Sequence, residues 1–394
     1  MNYIFIIIVI LILIEIFLFL WINKIKVSKW ILTDEDLLSD FRIDKFLKFK
    51  KSNFNELLGW DKKKNTKNFD RIGNKKISYS IDKKGFRKSK YKNFKNSIIT
   101  FGDSYVFCRQ VTDKDTWQEF ISKKNKLFVS NYGVGNYGLD QSYLKFKKTK
   151  LNSKTKIILF GFVPETICRI QSIWKNFLEF GNVHGFKPYC LFQKKIYLKN
   201  NILKKNTKYN QLKKIVKLAK REDRFFIEKY NKRIFKFPYL ISFLKCFELN
   251  VKILKNTLFR HPDDLEKIIF PIIMNDNISN SHRLYSEVHS QKVLENLMKK
   301  INSEIKSKKD KKIYFVVLPQ LFDLKKKSRS NYINFFKSLD KKLNILDLTN
   351  DFLKVEYKKY FINDKYGGHL NKRGNQLVSR IIEKKIIYEN NLTK

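Results

Sequence analysis

Residues 97–101 (Ser-Ile-Ile-Thr-Phe) form a short apolar run without polar alternation, closed by Gly102. A strand of this kind has no wet face, so it needs neighbours on both sides and cover above and below, the situation of a parallel sheet. The pattern returns at 127–130, at 156–160 (Lys-Ile-Ile-Leu-Phe), at 313–318 (Ile-Tyr-Phe-Val-Val-Leu), where it is strongest, and more weakly at 343–348. Between these runs the spacing turns helical. Asp115-Thr116-Trp117-Gln118 resembles a capping box ahead of an apolar face of Trp117, Phe120 and Ile121, and 139–148 is predicted to be a helix. Strands alternating with helices predict an α/β fold with a doubly wound parallel sheet. Ligands of such sheets bind beyond the carboxyl ends of the strands, where Ser104, the glycine-rich turn 131–138 and Pro164-Glu165 fall.

Between Trp174 and Lys312 the pattern changes to lysine-rich amphipathic stretches such as 211–221 and 291–306. These predict a mainly helical insertion, the place where substrate choice is expected to be encoded. The resulting plan is an apolar anchor at 3–22, a linker at 23–57, a first sheet segment at 58–190, the insertion at 191–310 and a C-terminal sheet segment at 311–394.

The anchor consists almost entirely of Ile, Leu, Val and Phe, with Glu15 as its only charged residue, and its length matches the hydrocarbon core of a bilayer. A cleavable signal peptide is the competing reading, but no basic segment precedes the run and no small-residue cleavage site follows it. Lys24, Lys26 and Lys29 after the span would by themselves hold the large domain in the cytoplasm. Long domains translocate with little regard to charge, so the expectation is a single-pass membrane protein with an extracytoplasmic domain.

The 35 Phe and 19 Tyr supply a core, and this is not a disordered composition. A net charge of +46 arises from 83 Lys and Arg against 37 Asp and Glu, with the excess spread along the chain. Nucleic-acid binding would gather that charge on one element within a recognisable module, and none is present; a solvated lysine surface that attracts anionic substrates or lipid headgroups is the expectation. Cys108, Cys168, Cys190 and Cys246 show no CxxC, and His184, His261, His282 and His289 form no HxxxH or HExxH, so neither a metal nor a cofactor is expected.

Ser104 follows a strand within Gly102-Asp103-Ser104, and His369 lies near the C-terminus within Asp364-Lys-Tyr-Gly-Gly-His369. Serine, imidazole and carboxylate are the minimum set for acyl transfer. Singly, Ser104 fits a helix N-cap and His369 fits turn chemistry ahead of Asn371. Together their order and spacing favour catalysis.

Gly102-Asp103-Ser104 after the first strand, Asn131-Tyr-Gly-Val-Gly-Asn-Tyr-Gly138 after the second, and Gly367-Gly368-His369-Leu370-Asn371 before a final helix resemble the SGNH/GDSL hydrolase superfamily, above all its membrane-anchored bacterial members. Gly59-Trp60, the segment 79–87 ending in Gly85-Phe86-Arg87, and Phe186-Lys187-Pro188-Tyr189 are similar to them too. The resemblance implies a flavodoxin-like sheet, with Ser104 as nucleophile, His369 as base, Asp364 as orienting acid, and the Ser104 N–H as the first oxyanion donor. It also marks three departures. Tyr366 stands where the family's acid commonly lies, three residues before the histidine. Asn136, beside Gly135, falls where a glycine donates its N–H to the oxyanion. The third block, 161–169, lacks the usual asparagine, for which Arg169 is a candidate replacement, although surface or helix-capping duty is the commoner role of such an arginine.

The implied activity is hydrolysis of a carboxylic ester, in a lipid, a small ester or an acylated glycan, through a Ser104 acyl-enzyme. Two alternatives stay open: an O-acyltransferase that modifies a cell-envelope glycan with an acyl-donor partner protein, and a catalytically weak glycan-binding member.

Overall fold

In the computed structural model, each unbroken apolar run found above becomes a strand. The structure describes residues 2–33, 43–72, 75–94, 97–179, 184–308, 310–340, 342–362 and 368–392. The chain divides into two compact units.

One unit comprises Ser52–Gln171, Lys187–Asn201 and Ile278–Lys394. After a short antiparallel pairing of 54–55 with 59–60, it contains an antiparallel hairpin of β1 (Thr66–Ile72) and β2 (Lys75–Ile81), followed by β3 (Ser97–Gly102), β4 (Phe128–Asn131), β5 (Thr155–Phe162), β6 (Lys312–Val317) and β7 (Ile345–Asp347). The last five form a parallel sheet in the spatial order β7-β6-β5-β3-β4. Counted along the chain this is 2-1-3-4-5, the flavodoxin-like doubly wound order, and its switch point lies between β3 and β5.

On one face Ile98, Val129, Ile157, Leu159 and Val316 are buried together with Trp117 and Ile121 of helix Trp117–Asn125 and Val378 and Ile382 of helix Lys372–Ile382. The other face is aromatic: Phe101 stacks on Phe160 and meets Phe146 edge-on, and Phe160 tilts against Phe315. Each such side chain taken wholly from water contributes about 1.5–3 kcal/mol, which sets the register of the layers. The cap of helix Trp117–Asn125 is Thr116, whose side chain accepts from Glu119 N, one residue later than the sequence pattern centred on Asp115 implies.

β3 and β5 place Gly102 opposite Gly161. A Cβ at Gly102 would lie 2.1 Å from the Gly161 carbonyl and 2.3 Å from Val106 Cγ2, so only glycine lets helix Ser104–Phe107 cross the strand ends this closely. Arg87 bridges β2 to Asn131 of β4, and its buried guanidinium donates to the carbonyls of Phe107 (2.6 Å), Cys108 (2.8 Å) and Val111, clamping the far end of that helix.

The other unit comprises Met1–Lys51, Ser172–Phe186 and Ile202–Asn277. Helix Asn2–Ile25 is long and apolar enough to cross a membrane. Its final turns are built into this unit: Leu18, Trp21, Ile22 and Ile25 are buried, and Trp21 Nε1 donates to Thr257 Oγ1 at 3.0 Å. Leu32–Thr33 pairs in parallel with Ile234–Phe235. The stretch 191–310 is divided between the units: most of the hairpin of Tyr189–Gln193 with Lys195–Lys199 and helix Val288–Lys306 belong to the sheet unit, and helices Leu212–Glu222 and Phe247–Thr257 to this one.

Candidate active site

Ser104 starts a helix immediately after β3, because Asp103 is its N-cap: the Asp103 Oδ1 accepts from Tyr105 N at 2.8 Å. The other carboxylate oxygen accepts from Val163 N at 2.9 Å and faces Arg169 Nη1 at 3.5 Å. Burial pushes the Asp103 carboxyl up, and Arg169 foremost, then these two N–H groups and His369, pull it back. The Ser104 N–H heads the helix and meets no acceptor among the described residues.

His369 approaches from the opposite end of the sequence. Asn371 caps the final helix by accepting from Gly374 N at 3.0 Å, and the His369 carbonyl accepts from Ile362 N at 2.7 Å. Gly368 adopts φ 68° and packs so closely that a Cβ there would lie 2.7 Å from Leu321 Cβ. Its carbonyl accepts from Tyr105 OH at 2.9 Å, and the Tyr105 ring covers the imidazole with centroids 5.1 Å apart. Fixed in this way, His369 Nε2 lies 2.9 Å from Ser104 Oγ, 265 residues away in sequence. Both side chains are buried. Asp364, with Tyr366 and Gly367 beside it, lies outside the described residues.

The glycine-rich turn is pinned to the end of β3 by Tyr132 N to Thr100 O (2.8 Å) and Val134 N to Gly102 O (2.9 Å). Trp60 Nε1 donates to Gly135 O at 3.0 Å, and Tyr137 OH donates to Trp60 O at 2.5 Å, so Gly59-Trp60 buttresses the turn from outside. Asn136 takes a left-handed conformation, φ 68°, which asparagine tolerates better than most residues. It is half-buried, and its side-chain amide makes no hydrogen bond among the described residues. Gly135 faces open space where a Cβ would stand.

Arg169 is neither at the surface nor a cap. Its buried guanidinium reaches Asp103, the Tyr137 carbonyl (3.3 Å) and Glu165 Oε2 (2.7 Å), joining all three strand-end loops. Beneath it, Lys187 Nζ donates to the Arg169 carbonyl at 2.7 Å and to Asp140 Oδ2 at 2.6 Å, a pair wholly removed from water. The framework roles of Asp103, Arg87, Lys187 and Asp140 were not assigned from the sequence. For Arg87 and Lys187 the signal was present in the segments ending Phe86-Arg87 and starting Phe186-Lys187, which carried the resemblance without a physical role.

No protein-family model matches the chain, and no curated protein matches it in sequence. Solved structures do show similarity. A member of the lipolytic protein G-D-S-L family from Veillonella parvula DSM 2008 is 10% identical with a TM-score of 0.32, over 74% of this chain and 98% of that one. The lipase/acylhydrolase from Enterococcus faecalis is 12% identical with a TM-score of 0.34, over 75% and 96%. Phospholipase A1 from Streptomyces albidoflavus NA297 is 7% identical with a TM-score of 0.38, over 74% and 99%. Scores this low leave the weight on the chain's own geometry.

Proposed function

We propose that this chain is a serine ester hydrolase held at a membrane by its N-terminal helix. The 2.9 Å contact between Ser104 Oγ and His369 Nε2, at the carboxyl end of β3 beside the switch point, carries the reading. In this mechanism Ser104 Oγ attacks the ester carbonyl while His369 Nε2 takes its proton. The tetrahedral oxyanion is received by the Ser104 N–H and by Asn136. His369 returns the proton to the departing alcohol, leaving an acyl-Ser104, and the same imidazole then deprotonates the water that releases the carboxylic acid. Arg169 acts through Asp103, keeping the cap that aims Ser104. Asp364 is the proposed partner that fixes the His369 tautomer.

Retention of the N-terminal helix is supported by its buried turns and by the Trp21–Thr257 hydrogen bond, both of which cleavage of a leader would remove. The test is mass-spectrometric detection of fluorophosphonate labelling on the full chain. Label on Ser104 that is lost in Ser104→Ala and in His369→Ala is expected. A folded wild-type chain that takes no label overturns the reading. Product analysis with glycan hydroxyls added then separates hydrolysis from acyl transfer.

A further inference from the structure

Glu15 sits inside the apolar run 3–22, where an isolated carboxylate is costly. In the structure it is not isolated. Its Oε2 accepts from Tyr239 N at 2.7 Å and its Oε1 from Leu240 N at 2.8 Å. At 1.5 Å per residue the run spans about 30 Å, and Glu15 lies about 10 Å inside its Ile22 end. Whatever binds Glu15 shares that depth.

The segment that does so is dressed for lipid. Phe237, Ile241, Leu244 and Phe247 are 72%, 55%, 54% and 54% exposed, whereas Ser242 and Phe243 of helix Tyr239–Leu244 turn inward. Phe19 of the N-terminal helix lies against Tyr239, and Trp21 meets Phe243 edge-on, so the exposed side chains continue the apolar surface of Ile16, Phe17 and Leu20. The irregular backbone ahead of the short helix is also internally satisfied. Ser242 Oγ donates to Lys236 O (2.6 Å) and accepts from Lys236 N (3.1 Å), and Glu15 takes the helix's first N–H groups. Backbone at membrane depth must meet this requirement, and backbone in water need not. Exposed Lys236, at the start of the segment, and Lys245, near its end, have stems long enough to carry their charges to the headgroups.

We infer that residues 236–247 form a second membrane-embedded element, which enters the hydrocarbon beside the N-terminal helix, is latched to it through Glu15, and presents Phe237, Ile241, Leu244 and Phe247 to lipid acyl chains. The inference rests on the membrane-anchor reading above. The test uses the full chain with Cys246→Ser, the other three cysteines being buried, reconstituted in phosphatidylcholine vesicles. A fluorophore is placed at Ile241→Cys, at Leu13→Cys in the N-terminal helix, or at exposed Lys217→Cys, and quenched by nitroxides on the lipid acyl chains. Quenching at Ile241 several-fold above Lys217 and comparable with Leu13 is expected. Quenching at Leu13 with none at Ile241 overturns the inference and leaves the anchor, pointing instead to a protein partner on this surface. No quenching at either position overturns both.

Discussion

Two buried histidines in the same unit bond serines, and their surroundings differ: one is packed among helices, the other stands at the carboxyl ends of the sheet. His282 is wholly buried, with Nδ1 2.9 Å from Ser328 Oγ and Nε2 2.8 Å from Asp323 Oδ1, a complete serine, imidazole and carboxylate set. Yet Asp323 also accepts from Gln320 N at 2.7 Å, capping helix Leu321–Lys325, and the His282 carbonyl accepts from Asn331 Nδ2. Burial pushes the Asp323 carboxyl up, and the hydrogen bond from His282 foremost pulls it back. Every one of these groups is occupied in joining helices. Around Ser104 the helix N–H and the Asn136 amide have no acceptor among the described residues, and the serine stands at the carboxyl ends of the strands. A full serine, imidazole and carboxylate set is therefore no mark of a site by itself; uncommitted donors beside the serine are what favours Ser104 as the proposed nucleophile.

The sharpest way to break this comparison is substitution of the two serines. Ser104→Ala is expected to lower kcat/KM for a small activated ester by about a thousandfold or more, while Ser328→Ala leaves it within a few-fold. Equal losses would erase the distinction. Lys187→Met should be next in size, since it strands the Asp140 carboxylate in the interior beneath Arg169; chemical denaturation should show a loss of about 3–5 kcal/mol. His282→Ala should cost about 2–4 kcal/mol by the same assay, through loss of the imidazole partner of Asp323 and the void left behind, while fluorophosphonate still labels the folded fraction at Ser104.

The smallest effect concerns Lys62, whose ammonium lies over the rings of Tyr79 and Phe107 beside the helix that begins at Ser104. Burial brings its pKa down to about 8. Between pH 8 and its ordinary 10.5 the unfolded chain binds the proton and the native chain does not, so stability rises with pH across that window. Lys62→Met should remove this rise, measured as the pH dependence of the denaturation midpoint relative to wild type.

The sheet was readable from sequence because a parallel strand covered on both faces has no alternation to obscure, as β5 and β6 show. The hairpin β1–β2 was not read as strands: Lys75, Lys76, Lys67 and Asn68 lie exposed on it, and its apolar residues are too sparse to mark a period. Ser104 and His369 were visible as motif residues because glycines and a cap fix the backbone around each. The Asp103–Arg169–Glu165 linkage was not, since an arginine after a strand is ordinarily solvated, and only the burial contributed by three loops makes it a core group. The lysines offer the same lesson in both directions, with Lys217 in water and Lys187 sealed around a carboxylate.

The latch between Glu15 and Tyr239 has a consequence in time. The helix is made early, but its partners lie 224 residues further along the chain. At a synthesis rate of about 5–20 residues per second, roughly 10–45 s pass before they exist. For that interval the nascent chain carries an acidic group within an apolar segment whose native hydrogen-bond donors have not yet been made.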